Sequence, residues 1–580
     1  MDLTIRIAGE AGQGMQTIGN VICRICRDNG VSLFSHQDYM SRIRGGNNFF
    51  QIRLSGSPVL APREKADILL ALNRTSVELH RPSLTDKGMI ILDRMKYGIT
   101  LDDNRFFDVP LYSLAGQAGG SELFVNSVAC GALAGILRFD FKILEEMLDR
   151  QFGRKGAEII EKNIAAARAG YAAAIDRFSS DVFKAETSGR NRSDLLINGN
   201  QSIALGAIQA GCKFYSGYPM TPSTEIMENV AHFAGKYNIV VEQAEDEMAA
   251  INMCMGASFA GVRVMTATSG GGFALMTEGV SLAAMTETPL VVVVAQRPAP
   301  ATGFPTRTEQ ADLDFVIHGG HGEFAKAVFA PGTAEEAFKL TVKAFDLAEM
   351  FQIPVIIMTD QYLADSCRNV EAEMFRSGPN TRYILSRQNV RDYKRYVLTA
   401  TGISPRAVPS WINDPVYADS DEHDETGHIT EDAKTRTAMV DKRFSRKMSG
   451  LQHDLVPPTA ANLNGAATIL IGFGSTYGVM KEVSDGSKDI KVGFVHLSQV
   501  WPFPSEQVTA LLENRVGVKI ISIENNAGGQ LKKLLRRETG ICADGSIIRY
   551  DGRPFTVDGV MEQLHKKGTT HASQRSSQQR

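Results

Sequence analysis

The stretch YSGYPMTPSTEIMENVA, residues 215–231, places one threonine where its hydroxyl could do chemistry. Pro219 and Pro222 fix the backbone on both sides of Thr221, so its hydroxyl is oriented at low entropic cost. Ser223, Thr224 and Glu225 can cap the helix that follows, but capping does not call for the paired prolines. A second group is acidic. Glu242, Glu245 and Glu247 stand where a strand signal meets a helix filled with Ala249, Ala250, Gly256, Ala257 and Ala260. A glutamate at such a tightly packed junction loses water and holds its proton more strongly. That suits a residue sharing a proton with a heterocycle nitrogen. The same acids also read as a first turn favoured by the helix dipole. A third group is Arg297, which closes the apolar run PLVVVVAQ. Its planar guanidinium matches a carboxylate in a two-pronged pair; the alternative is an ion pair with an acidic neighbour. The glycine turn TSGGG, residues 268–272, ends a neighbouring strand signal.

Two further loops near the start invite an anion. GEAGQGM carries Gly12 and Gly14 between a strand and a helix, where backbone N–H groups point outward. The glycine order is neither that of a dinucleotide fingerprint nor that of a P-loop, and tight packing alone would explain it. SRIRGGNN adds Arg42 and Arg44 beside two glycines, as a phosphate-holding loop or a solvated turn. Cys23 and Cys26 form a lone CxxC on one helix face, too few ligands for a zinc or cluster site, so they read as buried structural thiols.

The elements that must position these groups alternate strand and helix, which argues for an α/β chain of three domains with mainly parallel sheets. Residues 1–187 form the first α/β segment, closing on an Ala-rich helix at 158–178, and SGRNRSD (188–194) reads as a linker. Residues 195–368 form the second segment, 369–460 an extended connector, 461–566 a third α/β segment and 567–580 a polar, frayed tail. The chain has 580 residues, 43% hydrophobic and 22% charged, with a net charge of −3, the balance of a soluble globular protein. That balance gives no support to a nucleic-acid partner, and no apolar run is long enough to cross a membrane. Seven cysteines do not make a disulfide framework, and the N-terminus runs straight into a strand, so a cytoplasmic location is expected.

Together, YPMTPSTE, EQAEDEMAAINMCMGAS, TATSGGGFALM, TGFPTRTEQADL and IENNAGGQL resemble the alpha subunit of 2-oxoacid:ferredoxin oxidoreductases. The N-terminal GEAGQG and SRIRGGNN look like that family's gamma domain, fused in front, an arrangement most similar to the 2-oxoglutarate enzymes. The resemblance implies a transketolase-like pyrimidine-binding domain and C-terminal domain, and thiamine diphosphate shared with a separate beta subunit. That subunit would hold Mg²⁺ and a [4Fe-4S] cluster. Coenzyme A would take the acyl group, ferredoxin the electrons, and two alpha–beta heterodimers would pair. A glutamate would bond the pyrimidine N1′. Counting nine positions back from Gly256 gives Glu247, the residue assigned here; anchoring on QAE gives Glu245 as the runner-up. Thr221 and Arg297 match the residues that hold the oxoacid, with Tyr218 beside them. Arg307 is a candidate for the distal carboxylate on charge and position. Pro219, Met220, Ser269, Gly270 and Gly271 would line the cofactor ring, and Gly12, Gly14, Arg42 and Arg44 an anion or coenzyme A loop. No metal ligands are expected on this chain. Three glycines at 270–272 depart from the proline-containing family turn. Pyruvate or branched oxoacids remain alternative substrates. A non-catalytic scaffold subunit and a dinucleotide-dependent dehydrogenase are the competing functions.

Overall fold

The computed structural model describes residues 2–566 except 43, 100–103, 179–180, 188–192, 388–389, 488, 514 and 516. Of the expected linker at 188–194, residues 188–192 lie outside the described residues, as does the tail at 567–580. The chain divides into two compact units, one of residues 1–197, 366–374 and 555–580, the other of residues 198–365 and 375–554.

In the first unit an eight-stranded sheet runs in the order Phe106–Asp108, Leu84–Leu92, Ala66–Ala71, Asp2–Ala11, Gly45–Ser55, Ser32–Asp38, Cys367–Val370, Leu195–Ile197. The half from Asp2–Ala11 outward to Phe106–Asp108 is parallel, whereas the other half is antiparallel. That second half was not expected. Residues 41–48 read as a turn, yet Gly45 already begins an eleven-residue strand. Leu195–Ile197, expected to open the second segment, instead pairs with Cys367–Val370 in this sheet. On one face Leu3, Ile5 and Ile7 join a core with helices Met15–Asp28 and Val125–Ile136. Helix Val125–Ile136 lies on Ala157–Arg177 so closely that a Cβ at Gly131 would come 1.9 Å from the Ala167 carbonyl oxygen. Cys23 and Cys26 are buried in this core, and burial pushes the Cys23 thiol up to about 12.

The second unit holds two sheets. The seven-stranded one runs Gln499–Trp501, Ala327–Phe329, Pro354–Asp360, Leu290–Gln296, Arg263–Thr268, Cys212–Gly217, Val240–Gln243. All its pairs are parallel except that of Ala327–Phe329 with Gln499–Trp501. Leu290–Gln296 is buried along its whole length, as a central parallel strand of β-branched residues requires. The chain goes from Cys212–Gly217 to one neighbour, Val240–Gln243, then crosses to the other, Arg263–Thr268. The strand order therefore reverses between Cys212–Gly217 and Arg263–Thr268, and the crevice outside such a switch point is where open α/β sheets take ligands. A five-stranded sheet follows in the order Thr459–Ala461, Val492–Leu497, Thr468–Phe473, Lys519–Glu524, Gly545–Ile548. Its buried residues share one core with the helices of the larger sheet. Between the two sheets, residues 376–432 hold neither helix nor strand among those described, and helix Ala433–Asp441 follows.

Candidate active site

Four adjacent strands of the seven-stranded sheet end at one edge and deliver the chemistry-bearing residues. Cys212–Gly217 leads into Tyr218–Ser223, Val240–Gln243 into Glu247, Arg263–Thr268 into Ser269–Gly272, and Leu290–Gln296 into Arg297.

The Thr221 loop is clamped from two sides. Arg297 Nη1 donates to the Thr221 carbonyl at 2.7 Å, and Asn200 Nδ2 donates to the Pro222 carbonyl at 2.8 Å. Within the loop the Ser223 N–H and hydroxyl both donate to the Met220 carbonyl, at 2.9 and 2.7 Å. Ser223 thus turns the loop, and its side chain makes no cap bond to the helix Thr224–Tyr237. Glu225, in that helix's first turn, accepts from Asn198 Nδ2 at 2.9 Å and from Gln201 Nε2 at 3.1 Å. Asn198 and Gln201 are fixed by their own reciprocal capping box on helix Gly199–Gln209. Burial raises the Glu225 carboxyl above the usual range, against the pull of these amides. Sequence reasoning missed Asn200 and the Glu225 cluster. The polar run NGNQ ahead of an apolar helix was the available signal.

Arg297 is half-buried, and burial lowers its pKa. Among the described residues it has no carboxylate partner; the expected alternative of a structural ion pair is absent there. A guanidinium held by a neutral carbonyl keeps its remaining N–H groups for an anion.

The two candidate glutamates part company. Glu247 is 3% exposed and Glu245 is exposed. Asp246 caps helix Glu247–Phe259 by accepting from Ala249 N, which turns Glu247 inward. There Thr268 Oγ1 donates to Glu247 Oε1 at 3.3 Å. Gly272 lies against the same carboxylate: a Cβ there would come 1.9 Å from Thr268 Oγ1 and 2.4 Å from Glu247 Oε1. Ser269 Oγ is buried without a hydrogen-bond partner among the described residues. A buried carboxylate, an unfilled hydroxyl and a wall of glycines make a cradle that fits a flat heterocycle bearing donors and acceptors. Tyr218, by contrast, is 38% exposed, and Pro219 and Met220 are half-exposed. Gly270 and Gly271 open helix Gly270–Met285.

Two more acids stand near. Asp312 packs on Gly270, where a Cβ would come 2.2 Å from Oδ2. Burial, and secondarily the charge of Glu309, pushes Asp312 up to about 6. Arg307 is buried, its Cβ 3.1 Å from where a Cβ at Gly552 would be. The described residues contain no group of three or more His, Cys, Asp and Glu arranged to hold a metal ion, and no helix among them is long and apolar enough to cross a membrane. In the first unit Ala11 pairs with Gly45, which brings the turns of Gly12, Gly14, Arg42 and Arg44 to one end of the sheet. Both arginines are exposed.

Residues 205–442 match the family described as pyruvate flavodoxin/ferredoxin oxidoreductase, thiamine diphosphate-binding. Residues 4–173 match pyruvate ferredoxin/flavodoxin oxidoreductase, and 466–559 match pyruvate:ferredoxin oxidoreductase core domain II. The 2-oxoacid:ferredoxin oxidoreductase subunit alpha of Sulfolobus sp is 31% identical over 98% of this chain and 97% of its own length. The 2-oxoglutarate synthase subunit KorA of Methanothermobacter thermautotrophicus is 34% identical over 64% of this chain and 98% of its own. The structure of 2-oxoglutarate:ferredoxin oxidoreductase from Magnetococcus marinus, with 2-oxoglutarate, coenzyme A and succinyl-CoA bound, superposes with a TM-score of 0.90. Its identity is 32%, over 97% of this chain and 99% of that one. Fold and site thus define an α/β oxidoreductase subunit with a thiamine diphosphate-binding domain. The chain belongs to the 2-oxoacid:ferredoxin oxidoreductase family, on the alpha-subunit side.

Proposed function

We propose that this chain, with a beta subunit, carries out the oxidative decarboxylation of 2-oxoglutarate to succinyl-CoA and CO₂, passing electrons to ferredoxin. The observation that carries the reading is the Arg297–Thr221 clamp: a half-buried cation without a carboxylate partner among the described residues, tied to a hydrogen-bonded loop at the switch point. When bound, thiamine diphosphate supplies the nucleophilic carbon and the electron sink for the decarboxylation. Glu247 holds or accepts a proton at the pyrimidine nitrogen, with Thr268 orienting its carboxylate. Arg297 pairs the 1-carboxylate, and Thr221 bonds the oxo group. Ser269, Gly270, Gly271, Pro219, Met220 and Tyr218 close around the ring and the substrate, excluding water. Arg307 takes the distal carboxylate. Mg²⁺ and the [4Fe-4S] cluster belong to the beta subunit, and two alpha–beta pairs associate. The exposed turns of Gly12, Gly14, Arg42 and Arg44 serve as an anion edge, with coenzyme A as the candidate. The choice of 2-oxoglutarate is supported by the names of the KorA relative and of the Magnetococcus marinus structure.

The test is to purify the chain with its partner and assay a panel of oxoacids with coenzyme A and a viologen dye. Highest kcat/KM on 2-oxoglutarate is expected. A preference for pyruvate or a branched oxoacid would overturn the substrate assignment. No turnover of any oxoacid by a complex that holds thiamine diphosphate would favour a scaffold subunit.

A further inference from the structure

The segment IENNAGGQL of the five-stranded sheet has no part in the reading above, yet it grips the loop that carries Arg307. Gln310, three residues on, is fully buried. Its N–H donates to the Asn525 carbonyl at 2.7 Å, and Asn525 N donates back to Gln310 Oε1 at 3.2 Å. Gln310 Nε2 donates to the Phe473 carbonyl at 3.0 Å, and Asn526 Nδ2 donates to the Gln310 carbonyl at 3.2 Å. Gln530 spans the next turn, donating to the Ala311 carbonyl at 2.7 Å and accepting from Asp314 N at 3.0 Å. Every polar group of Gln310 is thereby engaged by the five-stranded layer.

Asn525 also reaches a second point. Its Nδ2 donates to the carbonyls of Arg549 and Arg553, at 2.9 and 3.2 Å, and so fixes the turn between them. Gly552 lies in that turn with φ +77°. Its carbonyl accepts from Thr308 N at 3.3 Å. Its α-carbon faces the Arg307 stem, where an added Cβ would come 3.1 Å from Arg307 Cβ and 3.3 Å from the ring of Phe304. The buried Arg307 side chain is thus bordered at its root by Gly552, and its loop is held by way of Gln310. Restricting the root reduces the rotamer freedom lost on binding and fixes where the guanidinium can reach.

We propose that Asn525 and Gly552 are positioning residues for Arg307, and that they help set which 2-oxoacid side chain the site accepts. This rests on the role given to Arg307 above. If the contacts only dock one layer on the other, damage to them lowers turnover of every oxoacid alike and independently of Arg307.

The test measures kcat and KM for 2-oxoglutarate and pyruvate in the assembled complex. It compares wild type, Gly552→Ala, Arg307→Ala and the double variant. Gly552→Ala is expected to raise the KM for 2-oxoglutarate about tenfold, with kcat and the pyruvate values little changed. In the Arg307→Ala background it should have no further effect. Equal losses on both oxoacids, or the same loss with and without Arg307, would overturn the proposal. Should Gly552→Ala fail to assemble, Asn525→Ser, which frees the 549–553 turn, is read by the same two criteria. A wild-type complex inactive on 2-oxoglutarate would instead sink the reading on which the proposal rests.

Discussion

Glu247 and Glu245 are two positions apart and meet opposite surroundings, one buried under Thr268 and Gly272, the other in solvent. Glu247→Gln in the assembled complex should lower kcat by about a hundredfold or more, the usual scale of a lost acid–base group. Glu245→Gln should leave it within about twofold; the reverse ranking would move the proton chemistry to Glu245. Asp312 supports a second prediction. Its folded pKa of about 6 lies above the ordinary 3.8, so the fold favours the protonated form. Stability is then highest below the unfolded value and falls as pH rises from about 4 through about 6. The whole shift corresponds to about 3 kcal/mol. Asp312→Asn should therefore raise Tm at pH 7.5 and leave it unchanged near pH 4; a pH-independent difference would dismiss the effect. At this scale sequence told much about residue type and little about environment. The paired prolines and the lone arginine pointed to Thr221 and Arg297. Nothing in EQAEDEM said which carboxylate faces inward, because that depends on Asp246 acting as the cap.

Helices Glu247–Phe259 and Gly270–Met285 carry glycines with opposite duties. A Cβ at Gly272 would strike both Thr268 Oγ1 and Glu247 Oε1, whereas a Cβ at Gly256 meets nothing within 4 Å among the described residues. Gly272→Ala should displace the carboxylate and cut kcat by at least about tenfold, while circular dichroism shows a folded chain. Gly256→Ala should not lower the Tm of the isolated chain, since alanine is the better helix former. A stability loss at Gly256 would mean a close contact that the described residues do not contain. The glycines themselves were plain in the sequence as a helix filled with small residues. Their division into one that guards a carboxylate and one that faces outward needed the crossing of two helices. The strand Gly45–Ser55 was hidden for a related reason: two glycines and two asparagines at its start look like a turn, and only pairing with Asp2–Ala11 extends them.

Across the molecule, the alternation of strands and helices made the α/β class legible, and the antiparallel half of the first sheet was not, because one of its strands starts like a turn and its outer two come from residues 195–197 and 367–370. The connector was legible only as charged and poor in strands. Its anchor is a buried ionic cluster: Glu287 is bonded by Lys442, and by Lys447 Nζ at 2.6 Å, all three fully or almost fully buried. Burial opposes the Glu287 charge, but these two lysines and Arg395 outweigh it and hold the carboxyl well below its usual range. Glu287→Gln should therefore cost about 3–5 kcal/mol, since it leaves two ammonium groups buried without their anion. Loss of Tm with earlier proteolytic cutting in residues 376–430 would be the sign; an unchanged Tm would refute the anchoring role. The thiols have their own consequence. Cys23, Cys26, Cys130, Cys212 and Cys254 are buried, Cys367 is half-covered and Cys542 is exposed. A maleimide dye should thus couple first at Cys542, giving the unaltered chain a built-in attachment point for fluorescence ranging toward any protein that docks on it.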